Sequence, residues 1–173
     1  LVQQLESFER QIATLEAEIE NISTKERYKE RIKALNAFKG ISLITAATIV
    51  TEIVDIKMFS HPKKLVAFLG LDIGEYSSGA KQLQFGITKK GNRRMRKALV
   101  ESCQKFGSSK TPNKRLLARR KGVPPEIIKI ADKCQERLYT KGHRLLAREK
   151  PRNKVKVACA RELVGFIWEA LSK

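Results

Sequence analysis

Ser77 and Ser78 stand side by side against Gly79, and Lys81, Lys89, Lys90, Arg93, Arg94 and Arg96 follow, with Gly86 and Gly91 among them. A hydroxyl can attack a phosphodiester where a sharp turn exposes it and nearby positive charge offsets the charge developing on the phosphate. Serine at its ordinary pKa is a weak nucleophile and needs a base or a metal beside it. Glu75 is the nearest acid, and neither histidine (His61, His143) stands at a relay spacing. On residue type alone a serine beside a glycine is more often a turn former. The segment therefore leaves two readings open, nucleophile or turn.

The cations around it argue for phosphate. Lys89, Lys90, Asn92, Arg93, Arg94, Arg96 and Lys97 form a dense run free of acids. Such a run on a helix can be a solvated face, but at this density it reads as a track along a sugar-phosphate backbone. Lys81 and Lys89 are placed to neutralise a phosphate near Ser78. Lys110, Lys114, Arg115, Arg119, Arg120 and Lys121 form a second basic block, in which Arg119 and Arg120 are expected to contact nucleic acid. A third runs through Lys141, Arg144, Arg148, Lys150, Arg152, Lys154 and Lys156. Tyr76, Phe85 and Tyr139 are the aromatics near these blocks, too few for base stacking to dominate.

The chain of 173 residues carries a formal charge of +18, which points to a polyanionic partner. The charge is uneven. Residues 1–39 hold seven Lys/Arg and seven Asp/Glu, whereas residues 40–173 hold 29 and 11. A neutral arm, 1–35, is thus set against a basic domain, 36–173. No run approaches 18 uninterrupted apolar residues, so no membrane partner is expected. Cys103, Cys134 and Cys159 are widely spaced and show no metal-type pairing. Free thiols, no metal ligand and a cytoplasmic, prokaryotic setting are the expectation.

The elements that must position these residues read as mainly α-helical. Leu1, Leu5, Phe8, Ile12, Leu15, Ile19 and Ile22 are spaced alternately four and three apart, the seam of a left-handed coiled coil. So narrow a stripe needs a partner helix, and a homodimer or higher oligomer is expected. Because the chain starts at Leu1 within this pattern, a fragment of a longer protein is expected. A second helix ends near Gly40 and a third opens at Ser42, resembling a helix-hairpin-helix turn whose backbone N–H groups contact phosphate. A plain helical hairpin that packs Ala46 and Ala47 closely explains the same residues. Ser60 and Pro62 open a short helix that ends at Gly70. Residues 71–87 read as a β-hairpin or irregular loop, and Asn92 to about Phe106 as a basic amphipathic helix. Residues 107–125 read as extended or mobile. A helix over Ile127–Tyr139, a short one at Leu145–Ala147 and a last one over Lys154–Leu171 follow, with Arg161 and Glu162 as a structural charge pair.

Five runs carry a family resemblance. They are Ser77-Ser78-Gly79, Gly86 to Arg93, Lys64 to Leu71, Gly40 to Ile53, and Ala160 to Trp168. In collinear order over about residues 36–171 they resemble the C-terminal domain of the IS110-type insertion-sequence transposases, the group that includes the Piv/MooV site-specific invertases. The arm is similar to the coiled coil that precedes this domain. The resemblance implies a composite site for DNA strand exchange. A RuvC-like nuclease domain supplies four acids that bind Mg²⁺, and this domain supplies a serine, through a phosphoserine link. A structured guide RNA takes part in some members. By motif match the serine is Ser78, with Ser77 as the fallback. Ser42 stands where the family's hairpin has its second glycine, and residues 1–75 hold no spaced set of acids resembling the nuclease core. No cofactor is therefore expected on this chain, and alone it is expected not to cut DNA. The alternative is a non-catalytic nucleic-acid-binding module. A third reading makes the coiled coil an assembly device and the basic surface a dock for acidic proteins.

Overall fold

The computed structural model describes the backbone of residues 1–78, 81–105 and 109–173, and their side chains apart from those of 76–78, 81–84 and 105. The fold is mainly helical, as the patterning predicts. In chain order it runs α1 (Val2–Ser23), α2 (Glu26–Asn36), α3 (Leu43–Glu52), α4 (Pro62–Phe68), β1 (Ile73–Ser78), β2 (Lys81–Ile87), α5 (Arg93–Ser102), α6 (Lys114–Arg119), α7 (Pro125–Ala147) and α8 (Arg152–Leu171). Short 3₁₀ turns lie at Ile56–Met58 and Cys103–Lys105.

The core forms around α8, which buries Val155, Cys159, Leu163, Val164 and Ile167 at helical spacing. Against it pack Leu35 and Phe38 from the end of α2, Ile49 from α3, Leu65 and Leu69 from α4, and Met95 and Leu99 from α5. Ala46 is fully buried and lets α3 approach closely. The indole N–H of Trp168 donates to the Phe59 carbonyl at 2.7 Å, which ties the end of α8 to the turn before α4. Helix α1 meets the body mainly where it borders α2 and α3. It buries no residue, and Leu5, Phe8, Ile12 and Leu15 along its seam are each more than half exposed.

Several local expectations change. His61, not Ser60, caps α4: its Nδ1 accepts the Lys63 N–H, and Pro62 then fills the first helical position. The two helices predicted over 127–147 are one 23-residue helix, α7, in which Gly142 is buried. Close packing outweighs the helix-weakening propensity of glycine there. The segment predicted as extended or mobile contains α6, capped by Asn113 and anchored by buried Leu116. Its approach is pinned as well, because Gln135 donates to the carbonyls of Ser109 and Lys110 and Lys39 donates to Ser109. These donors come from α7 and the α2–α3 turn, so no local pattern reveals them.

Glu162 on α8 pairs with α7 rather than with its neighbour Arg161. Its carboxylate accepts Lys141 at 2.6 Å and Arg137 at 3.3 Å. Partial burial pushes this carboxyl up, but the bonds from Lys141 and Arg137 outweigh that and hold it below the usual range. A depressed folded-state pKa adds stability above the unfolded value and loses it as pH falls through the folded one. Glu162→Gln is therefore expected to lower the urea midpoint near neutral pH. The gap to the parent chain should close as pH falls below about 4, which paired denaturation curves would check.

Candidate nucleic-acid interface

Strands β1 and β2 form one antiparallel hairpin, with Ile73 opposite Ile87 at its base and Ser78 opposite Lys81 next to the turn. Five strand steps separate Ile73 from Ser78, which places Ser78 roughly 16 Å out along the hairpin. Its backbone thus sits beside the tip, across from Lys81. The side chains of Ser77, Ser78 and Lys81 lie outside the described residues. The Lys89 backbone, by contrast, starts two residues beyond the base. A phosphate at the Ser78 backbone position is therefore closer to Lys81 than to the loop that carries Lys89.

That loop is held tightly. The Thr88, Lys89 and Asn92 N–H groups donate to the carbonyls of Asp72, Gly70 and Phe68. Gly91 lies so close to the end of α4 that a Cβ would come 2.3 Å from the Phe68 oxygen, with φ at +157°. Lys89 itself adopts φ +58°, a left-handed conformation that a side chain rarely takes. The loop thus turns from β2 straight into α5, with Lys89, Lys90, Arg93 and Lys97 exposed beside it. Arg94 is also exposed, 3.5 Å from Glu52. A contact of this kind in water adds little, so Arg94 stays available to a phosphate. Lys97 pairs only loosely with Glu101, at 3.9 Å.

Other residues of the expected interface serve the fold instead. Asn92 caps α5 through the Met95 N–H, and its amide donates to Glu52 at 2.6 Å. Arg96 turns back to the Leu69 carbonyl at 2.8 Å and satisfies the end of α4. Arg119 donates to Asn36 Oδ1 and to the Ile41 carbonyl, which fastens α6 to the α2–α3 turn. Arg120 is buried, donates to the Ala37 carbonyl and pairs with Asp132 at 2.7 Å. Arg96 and Arg120, used in this way, are not on offer to a strand passing outside. Charge alone does not separate a cation facing water from one that closes a helix end.

Near Ser42 the turn has the conformation that the sequence suggested. Gly40 has φ +87°, and the Ser42 hydroxyl accepts the Thr45 N–H to cap α3. Serine does this capping as well as any residue, so the missing second glycine leaves the helix start intact.

Among the described residues no three His, Cys, Asp or Glu gather, so those side chains offer no chelating set for a divalent ion. Cys103, Cys134 and Cys159 are free and buried, and burial pushes all three thiols up, Cys159 to about 11. None is poised as a nucleophile. No helix among the described residues is long and apolar enough to cross a membrane.

The sequence is 42% identical over 135 residues to transposase y4qE of Sinorhizobium fredii, a match covering 78% of this chain and 35% of that protein. It is 27% identical over 121 residues to the transposase of insertion sequence IS1111A from Coxiella burnetii, covering 66% and 33%. With the IS1533 transposase of Leptospira borgpetersenii it shares 26% over 151 residues, covering 82% and 41%. The chain thus spans between a third and about two fifths of the length of these relatives. Residues 32–118, which run from α2 through the hairpin and α5 to α6, match the family model described as the IS116/IS110/IS902 transposase family. The stretch that forms the hairpin and its basic flank is therefore the stretch shared with known transposases, and this chain belongs to the IS116/IS110/IS902 transposase family.

Proposed function

We propose that this chain is the serine-bearing, nucleic-acid-binding part of a transposase that exchanges DNA strands. The observation that carries the reading is the hairpin. It sets the Ser78 backbone at the far end of two strands, opposite Lys81 and about 16 Å from the hairpin base, and exposed Lys89, Lys90, Arg93, Arg94 and Lys97 flank that base. A DNA backbone lying along α5 would be held by these cations, and the projecting hairpin would carry Ser78 to a phosphodiester. The Ser78 oxygen bonds to phosphorus while one phosphorus–oxygen bond to sugar breaks. The serine proton goes to a base, and the departing sugar oxygen takes up a proton. The link conserves the phosphodiester, so a second strand's hydroxyl can reverse the step. Ser77 is the fallback.

Among the described residues no three His, Cys, Asp or Glu gather, and activation of Ser78 is expected to come from another domain. An acid-lined nuclease domain carrying Mg²⁺, which would polarise the phosphate, is the expected partner. The unpaired α1 seam fits a second copy of itself, which would bring two DNA sites together. Light scattering should show the oligomer shrink when residues 1–22 are removed. A structured guide RNA is a further candidate for the remaining basic blocks. The central test is chemical. Full-length protein stalled on its DNA and digested should give a nucleotide adduct on the peptide containing Ser78. An adduct elsewhere, with none on this peptide, refutes the assignment. A non-catalytic binding module would give no adduct at all.

A further inference from the structure

A groove of roughly 650 Å³ opens at the far end of α5 from the hairpin, one helix length or about 15 Å from Asn92. One wall is the Lys39–Ser42 turn, and the other is the Ser109–Arg119 segment. Its cations are Lys39, Arg115 and Arg119. Lys39 donates to the Ser109 carbonyl, and Arg119 uses one nitrogen on Asn36 and Ile41. Arg119 Nε is buried with no partner, and Arg115 is exposed. Among the described residues Glu101 is the one carboxylate on the wall, and it faces Lys97 at 3.9 Å. The two guanidiniums thus sit together without an acid between them. Burial of Arg119, and then repulsion from Arg115 and Arg120, lowers its proton affinity. Such a site is short of negative charge.

We propose that this groove binds the phosphodiester backbone of a nucleic acid, as a second contact separate from the hairpin track. The lining matches that chemistry. Ser109, Thr111 and Asn113 stand beside the arginines, while the Ser42 hydroxyl is occupied in capping α3, and phosphate contacts are made by arginine and by hydroxyl and amide side chains. An acidic protein would need an apolar anchor at the centre of its contact, and this wall offers Ile41 and Leu116, both buried beneath it. The volume exceeds that of a lone anion and suits a stretch of strand. The inference rests on nucleic acid being the partner but not on Ser78 being the nucleophile.

Ser42 makes the test clean. Aspartate and asparagine cap a helix about as well as serine, so Ser42→Asp and Ser42→Asn keep the α3 cap, and only the first adds a negative charge to the groove. Arg115→Glu is the companion, since Arg115 is exposed and takes part in no hydrogen bond or ion pair among the described residues. Binding of a labelled DNA duplex and of a labelled RNA hairpin is measured over a salt series. Lys173→Glu, at the distant C-terminus, serves as the control for net charge. Ser42→Asp and Arg115→Glu should each weaken at least one probe by about tenfold and flatten its salt slope by about one. Ser42→Asn and Lys173→Glu should change neither much. The probe with the larger loss identifies whether DNA or RNA occupies the groove. The proposal is overturned if Ser42→Asp matches Ser42→Asn on both probes, or if Arg115→Glu does no more than Lys173→Glu. It is also overturned if polyglutamate at equal ionic strength displaces the probes as well as unlabelled nucleic acid does. These readouts concern binding, so failure at Ser78 leaves them intact, and the reverse holds too.

Discussion

Full-length protein carrying Ser78→Ala is expected to lose strand exchange by at least about 10³-fold, while DNA binding changes little. Removing a nucleophile takes away the bond-forming atom itself, and such losses run from roughly 10³ to 10⁶. Binding should hold because the exposed cations lie at the hairpin base, away from the Ser78 backbone, and alanine leaves their charge untouched. Ser77→Ala is the matched comparison. Only one hydroxyl forms the bond to phosphorus, so the two serines are separable by mutation. A Ser77→Ala protein should therefore keep most of its rate. If Ser78→Ala exchanges strands at the parental rate, the hydroxyl is not the nucleophile; if Ser77→Ala alone is dead, the role moves one residue. A joining assay on paired substrates, with a gel-shift assay beside it, reads both outcomes.

Gly40→Ala is expected to destabilise the chain by roughly 3 kcal/mol or more, through two separate causes. The backbone there has φ +87°, which glycine adopts freely and alanine does not. The added Cβ would also come 2.2 Å from the Ser102 carbonyl oxygen, a backbone atom that no side-chain rotation can move away. The α2–α3 turn would have to draw back from the end of α5. For a chain of this size that is a fall in melting temperature of about 6–12 °C. Gly165→Ala supplies the contrast. It lies within α8 with nothing near its Cβ position, so helix propensity governs, and it should leave stability unchanged or raise it by up to about 1 kcal/mol. Equal melting temperatures for the two variants would mean that the turn does not pack as described.

The two variants also bear on how much could be read from the chain. The mainly helical class, the α1 hydrophobic spacing, the Ser42 cap and the hairpin followed by a basic helix were all legible. Each rests on spacing or residue type within a few positions: alternating four-and-three hydrophobics, a capping hydroxyl, glycines around a strand pair. The family was legible for a related reason, because collinear runs of residues are themselves a sequence property. The Ser60 cap, the break in α7 and the loop at 107–125 were misread where a neighbouring residue or a distant one won the competition. His61 accepted the bond that Ser60 could have taken, packing carried α7 through Gly142, and Gln135 and Lys39 fixed a segment that looks mobile on its own.

The sequence by itself determined the sign and location of the charge, the helical periods and the motif that holds Ser78. Only the tertiary structure decided which cations remain free. Arg96, Arg119 and Arg120 read like Arg93 and Arg94, yet they bond to carbonyls 27, 78 and 83 residues away. A guanidinium is long and carries five donors, so its fate depends on which acceptors the fold brings within reach, and those acceptors are remote along the chain. The same holds for the groove, whose two walls meet only because α6 folds back onto the turn before α3.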